Sequence, residues 1–222
     1  MNIVDKDKDG NMTILGIPVG VSGAYSKEGR MGQFQPTDPS LLVPRKFGAG
    51  WDLNLGALAV KMGLIGPNVS FEEVEDDIPE ETLRKLEIAP IAGAAAVALT
   101  ALAIGSTSRE LPTAWNWKTL PKEWGSARKA VLPHALAAVG AGAWSVWQNK
   151  QNQRVDVVAT AQALGVQKTA FFMLIAVLRS GRLPKLPCPM VPLAPLAMPA
   201  VSAWVVSKAM NEALANREED LW

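Results

Sequence analysis

The chain has only one cysteine and one histidine in 222 residues, and this scarcity excludes several kinds of site. Cys188 alone cannot form an internal disulfide or a cysteine-based zinc cluster. His134 alone cannot supply a multi-histidine metal site, and it is the only residue around which a Ser-His-Asp triad could form. No spacing pairs a nucleophile with its base, and no phosphate loop or dinucleotide fingerprint occurs. These absences predict a protein that is not an enzyme.

Charge is scarce as well. The 22 Lys and Arg residues nearly balance the 21 Asp and Glu residues, so the overall field gives no basis for binding nucleic acid. Charged residues make up 19% of the chain, whereas soluble domains usually reach about a quarter. Hydrophobic residues make up 49%, and the mean hydropathy is +0.11. A polar region joined to a membrane-embedded region would give these averages.

Two stretches are long and apolar enough to cross a lipid bilayer. Residues 88–107 carry no charge, and a helix of this length spans about 30 Å, the thickness of the hydrocarbon core. Residues 130–147 are also uncharged when His134 is neutral. Five of the eight tryptophans lie at the ends of these stretches or between them, and tryptophan favours the membrane–water interface. Residues 88–150 are therefore predicted to form a transmembrane helical hairpin.

The loop between the two predicted spans is basic. It contains Arg109, Lys118, Lys122, Arg128 and Lys129, whereas the region just before the first span offers only Arg84 and Lys85. The positive-inside rule therefore places the loop in the cytoplasm, or in the stroma or matrix of an organelle, and the N-terminal region on the other side.

The flanking regions are less regular. Residues 1–87 are predicted to be extramembrane, with short strands and ordered loops among many glycines and prolines. Residues 155–178 are apolar but interrupted by polar side chains, which fits either a third span or a core helix packed against partner subunits. Five prolines in 187–199 favour an extended segment covered by protein, and a helix is expected over 200–216.

The N-terminus contains a partial calcium-binding pattern. Asp5, Asp7, Asp9 and Asn11 place oxygen ligands at alternate positions, and the glycine at the sixth position suits an EF-hand loop. The twelfth position is Gly16 rather than the bidentate glutamate. The alternative interpretation is a solvated, charged turn.

His134 lies in the second predicted span. A histidine in a membrane helix can bind a metal or a tetrapyrrole such as chlorophyll, or relay a proton. The alternative is that it lies near the headgroup region marked by Arg128 and Lys129 and binds nothing. Chlorophyll or lipid is thus the cofactor expectation that the sequence leaves open.

The most specific motif is DPSLLVPRKFGAGWDLN at residues 38–54. It resembles a short domain family of unknown function with the pattern D-P-x-L-x-V-P-K/R-x-F-G-x-G-W-x-L-N, found in small proteins that often carry predicted membrane spans. The resemblance implies a membrane-associated protein and no particular reaction. We predict that this segment contacts a partner, with Trp51 as the anchor. The residues assigned to this contact are Phe47, Gly48, Gly50, Trp51 and Asn54.

The sequence thus predicts a mainly helical integral membrane protein with two or three spans and an irregular N-terminal extramembrane region. Its expected function is that of a non-catalytic accessory subunit that stabilises or bridges other membrane-protein subunits in a respiratory or photosynthetic complex. One alternative is a pigment- or metal-binding subunit that uses His134. A small transporter or enzyme is a further alternative, disfavoured because the predicted spans contain no acidic residue. The expected location is the bacterial inner membrane or an organellar membrane such as the thylakoid.

Overall fold

The computed structural model describes residues 4–6, 12–14, 17–21, 34–44, 47–49, 51–68 and 71–219. The described chain is mainly helical, which confirms the predicted fold class at that level. It divides into two compact units. The first contains Met1–Pro79 and Val206–Trp222, and the second contains Glu80–Val205.

The first unit contains short strands and short helices. Strands β1 (Val4–Lys6), β2 (Met12–Ile14), β3 (Ile17–Val21) and β5 (Phe47–Ala49) form an antiparallel sheet in the order β1-β2-β3-β5. Strands β4 (Leu42–Pro44) and β6 (Trp51–Leu53) form a separate antiparallel pair. Helices α1 (Leu55–Lys61) and α2 (Phe71–Val74) follow, and a 3-10 turn spans Glu75–Asp77. These elements match the brief strands expected from the Gly/Pro-rich sequence.

The core of the first unit uses residues from both ends of the chain. The rings of Phe34 and Phe71 meet edge to face with their centroids 6.3 Å apart. The C-terminal part of the last helix belongs to the same unit, where Met210 is fully buried. There the side-chain amide of Asn211 donates to the carbonyl of Leu64 at 2.8 Å. The unit is therefore completed by residues far away in sequence.

The second unit contains four long helices and a β-hairpin. The helices are α3 (Glu80–Gly105), α4 (Ala127–Asn152), α5 (Val157–Arg182) and α6 (Met190–Glu219), of which α6 continues into the first unit. Strands β7 (Glu110–Trp115) and β8 (Pro121–Ser126) form the hairpin between α3 and α4. All four helices are long and apolar enough to cross a membrane, which is compatible with an integral membrane protein. The sequence predicted two or three such helices.

The proline-rich segment is the clearest correction to the predicted structure. Residues 187–199 were expected to be extended, but α6 begins at Met190 and includes Pro192, Pro195 and Pro199. These three prolines are three and four residues apart, so they lie along one face of the helix. Pro192 lies in the first turn, where the N–H groups have no helical partner in any case. Pro195 and Pro199 have no N–H, so each removes one backbone hydrogen bond from α6. A helix that packs against neighbouring helices tolerates this loss.

Helix α5 is the centre of the second unit. It begins at the N-cap Asp156, whose carboxylate accepts from the N–H of Ala159 at 2.8 Å. Thr160 of α5 and Ser145 of α4 are both fully buried, and their hydroxyl oxygens are 3.1 Å apart. The Thr169 hydroxyl donates to the carbonyl of Ala194 on α6 at 3.0 Å. Polar side chains thus link α5 to its neighbours within this chain. The helix is also long and apolar enough to be the third span that the sequence left open.

The β7–β8 hairpin is docked at the C-terminal end of α5. The indole N–H of Trp115 donates to the hydroxyl of Ser180 at 3.0 Å. The backbone N–H of Cys188, in the connection to α6, donates to the carbonyl of Thr119 at 3.1 Å. Trp117 at the hairpin tip is 87% exposed, and the ammonium of Lys118 lies 4.9 Å from its ring centroid. An exposed indole beside a cation is typical of the membrane–water interface.

Basic residues concentrate at this hairpin end of the second unit. The docking contacts place the basic residues that end α5 and follow it beside the hairpin, so they add to the basic loop recognised in the sequence. The basic residues at this end are Arg109, Lys118, Lys122, Arg128, Lys129, Arg179, Arg182 and Lys185, and the acidic ones are Glu110 and Glu123. The structure therefore strengthens the charge asymmetry on which the topology prediction rests.

We predict that the hairpin end faces the cytoplasm, or the stroma or matrix in an organelle. A cysteine introduced by Glu123→Cys should react with a membrane-impermeant maleimide only from that side of sealed vesicles, and Gln151→Cys at the other end of α4 only from the opposite side. Both positions are exposed, and the unsubstituted chain is the blank because Cys188 is fully buried. The reverse pattern of labelling would contradict this topology.

We predict that Gly165→Ala loosens the packing of α5 against α6. A Cβ at position 165 would lie 2.6 Å from the carbonyl oxygen of Met198 and 2.9 Å from the hydroxyl of Ser202, so one helix must shift. The expected loss of stability is about 1–3 kcal/mol, measured by thermal unfolding of the purified protein in detergent. Gly140→Ala is the matched control, because a Cβ there meets nothing within 4 Å. Equal melting temperatures for the two variants would contradict the packing described here.

Candidate functional site

The motif at residues 38–54 folds into the β4–β6 pair and ends at the N-cap of α1. Asn54 has no exposed surface, and its side chain makes every hydrogen bond available to it. The amide oxygen accepts from the backbone N–H groups of Gln35 at 2.9 Å and Ala57 at 3.1 Å. The amide nitrogen donates to the carbonyls of Gln35 at 2.9 Å and Asp38 at 3.1 Å. One side chain therefore caps α1 and ties residues 35–38 to it.

Gly56 allows this close approach between α1 and the preceding loop. A Cβ at position 56 would lie 2.5–2.6 Å from backbone atoms of Gln35 and Pro36, so no other residue fits here without movement. The same loop is ordered by Asp38, whose carboxylate accepts from the N–H of Ser40 at 2.8 Å. This backbone hydrogen bond lowers the pKa of Asp38 below its usual value. The motif thus encodes a compact turn rather than a cluster of reactive groups.

One face of the β4–β6 pair is apolar and exposed. The register places Leu42 opposite Leu53 and Pro44 opposite Trp51, so these four residues share a face. Leu42 is 60% exposed and Trp51 is 48% exposed. Val43, on the other face, is buried. We call Leu42, Pro44, Trp51 and Leu53 the hairpin face. This face belongs to the β4–β6 pair and is distinct from the β7–β8 hairpin of the second unit.

The structure separates the residues that were predicted to contact a partner. Trp51 lies on the hairpin face, whereas Phe47 and Gly48 lie on β5 in the other sheet. Gly50 lies outside the described residues. Asn54 is fully buried and has no surface to offer, so its expected partner contact is corrected to a role in the fold. Trp51 is exposed and stays the predicted anchor of a partner contact.

The structure describes only part of the other predicted sites. Asp5 lies on β1, which pairs with β2 as a hairpin, while Asp7, Asp9 and Asn11 lie outside the described residues. His134 is half-buried in α4, two turns from its start. Among the described residues, no group of three or more His, Cys, Asp or Glu side chains is arranged to hold a metal ion. Calcium binding at residues 5–11 and pigment binding at His134 therefore stay predictions.

A polar position inside the helical unit was missed in the sequence. Gln167 on α5 is 97% buried, since its relative exposure is 3%. Its amide nitrogen donates to the carbonyl of Pro90 on α3 at 2.7 Å and to that of Ala138 on α4 at 3.3 Å. Its amide oxygen has no hydrogen-bond partner among the described atoms. The adjacent residue, Lys168, is exposed on the outside of the same helix.

Comparison with known protein families supports a match to an uncharacterised family, without confirming the residue pattern. Residues 36–61 match a family of unknown function, DUF5808, and this match spans the β4–β6 pair and α1. The matched residues include the turn at residues 36–40, the hairpin face and the Asn54 cap. The four long helices lie outside the match. No curated protein and no solved structure matched this chain.

We predict that Asn54→Ala destabilises the first unit by about 1–3 kcal/mol, because it removes the helix cap and leaves buried backbone groups of residues 35–38 unpaired. Limited proteolysis of the purified protein, followed by mass spectrometry, would reveal earlier cleavage in residues 35–62. Asn68→Ala is the control, since Asn68 is exposed. If both variants resist protease equally, Asn54 does not hold this turn together.

Proposed function

We propose that this protein is a non-catalytic accessory subunit that stabilises or bridges neighbouring subunits of a larger membrane complex. The observation that carries the proposal is the hairpin face. It is apolar, it belongs to the segment matched by the family, and it is displayed on a turn that a buried side chain holds in place. The partner is another membrane-protein subunit with an apolar pocket outside the bilayer.

The hairpin face has the properties of a binding hot spot. A tryptophan contributes a large contact area through a side chain with only two rotatable bonds, so ordering it costs little entropy. The hydrogen bonds of Asn54 hold the turn before binding, which lowers the cost of association further. Leu42 next to the Pro44–Trp51 pair extends the apolar area beyond one side chain. A preformed, apolar and exposed face of this kind favours a docking role.

For the host complex we propose a class of assembly and not a particular complex. We propose a respiratory or photosynthetic assembly in a bacterial inner membrane or an organellar membrane such as the thylakoid. The protein would be present at a fixed ratio to the other subunits. Identification of the subunits that co-purify with it by mass spectrometry, together with an absorption spectrum of the purified complex, separates this function from pigment binding.

We predict that Trp51→Ala releases the subunit from its complex. The loss of a buried aromatic anchor should weaken binding by about 2 kcal/mol or more, seen as a shift from the complex to the free protein on a native gel of detergent-solubilised membranes. Trp117→Ala is the matched control, because Trp117 is an exposed tryptophan outside the hairpin face. Retention of the Trp51→Ala protein at wild-type stoichiometry would contradict the proposed contact.

A further inference from the structure

A groove on the second unit combines an apolar lining with one cation. It has a volume of about 410 Å³ and lies between α3, α5 and α6. Its lining includes Gly93 and Val97 from α3, Phe171 from α5 and Trp204 from α6. Lys168 is the charged residue of this lining. The groove opens on the outer surface of the helices, where Lys168 is exposed.

Lys168 lies near the middle of a helix that is long enough to cross a membrane. It is 11 residues after Val157 and 11 residues before Arg179, so it is about 16 Å from either position along the axis. The hydrocarbon core is about 30 Å thick, which puts this residue close to the bilayer midplane when α5 spans. A lysine side chain extends on the order of 6 Å and cannot reach either interface from this depth.

The charge of Lys168 has no counter-ion in the described part of this chain. Its ammonium group lies 5.9 Å from the ring centroid of Phe171 and 5.5 Å from that of Phe172, which are cation–π distances. Ring faces compensate only part of the cost of removing a charge from water. Intramembrane ionisable residues normally pair with one another or line a functional path. The ammonium group of Lys168 therefore requires an anion from another molecule when α5 spans a bilayer.

We propose that this groove binds a membrane-spanning helix of a different protein, and that an Asp or Glu near the middle of that helix pairs with Lys168. The inference rests on the proposed function, because it names the chemistry of one partner subunit. The partner helix packs its apolar side chains along Ala96, Phe171 and Trp204, and its carboxylate meets the ammonium group.

Two other occupants do not satisfy Lys168. A second copy of this chain would bring no counter-ion, because no Asp or Glu lies in the middle of any of the four long helices. The phosphate of a lipid lies at the interface, beyond the reach of a side chain at this depth. Acyl chains can fill the apolar part of the groove and leave the ammonium group unpaired. A carboxylate carried on a helix is the anion that can be held at the midplane.

The proposal is tested in native membranes with a photo-crosslinking amino acid at Leu164, one helical turn from Lys168 in the same groove. The expected product is a covalent adduct with a polypeptide that has an Asp or Glu in a membrane span. Lys168→Leu and Lys168→Gln should each reduce its yield at least tenfold, whereas Lys168→Arg should retain it. Lys150→Leu is the matched control, because Lys150 is an exposed lysine near the end of α4. Thermal unfolding of each variant in detergent shows whether the fold survives.

Exchanging the charges of Lys168 and of the partner's acidic residue tests whether the two side chains pair. Lys168→Asp should abolish the adduct, and replacing the partner's acidic residue with lysine should restore it. An adduct formed only with lipid, a small molecule, a second copy or a protein without an intramembrane acid overturns the proposal. Undiminished adduct in the folded Lys168→Leu and Lys168→Gln variants also overturns it.

If Trp51→Ala releases the subunit while Lys168 variants change nothing, this inference fails and the accessory function stands. If the purified protein has no partner at all, both fail.

Discussion

The amide of Gln167 ties three long helices together, and the packing of the second unit depends on it. Its nitrogen donates to backbone carbonyls on α3 and α4, while the side chain itself belongs to α5. Two glycines make room for the amide. A Cβ at position 93 would collide with its oxygen, and one at position 142 would lie 3.2 Å from its nitrogen. In hydrocarbon no water competes for such groups, and an interhelical hydrogen bond of this kind is worth roughly 0.6–2 kcal/mol. Gln167 and the two glycines beside it therefore help to fix the spacing and register of three helices.

The long helices were predictable where the apolar run was uninterrupted. Residues 88–107 and 130–147 revealed α3 and α4 because they contain no charge and are as long as the hydrocarbon core is thick. Residues 155–178 gave a weaker signal, because Gln167 and Lys168 look like breaks when the helix partners are unknown. In the structure Gln167 faces other helices of this chain, so a polar residue there supports the packing. The helical part of 187–199 was missed because proline propensity is measured for isolated helices, and packing overrides it.

The candidate sites show a different limit of sequence reasoning. The motif at residues 38–54 was recognised from its residue pattern, but the pattern does not distinguish residues that build a turn from residues that the turn displays. Asn54 belongs to the first group and Trp51 to the second, and only burial separates them. In the sequence, Lys168 is one of the polar residues that interrupt 155–178, and the pattern does not mark it as a site. Its significance depends on three facts that follow from tertiary structure: its depth along α5, its place on the outer surface, and the distances to its neighbours.

The two proposed contacts differ in the force that drives them, and this difference follows from their surroundings. The hairpin face lies in the extramembrane part of the proposed topology, where burying Leu42 and Trp51 removes apolar area from water at about 25 cal/mol per Å². In the proposed topology the groove beside Lys168 faces lipid, and lipid chains are as apolar as its lining, so burying Phe171 there brings little gain. Affinity in the bilayer must come from close packing and from charge pairing. In the proposed contact the ammonium group of Lys168 supplies the charge pairing and disfavours any helix without an acid. In this proposal the contact at residues 42–53 contributes hydrophobic binding energy, and the contact at Lys168 selects a partner helix that carries an acid.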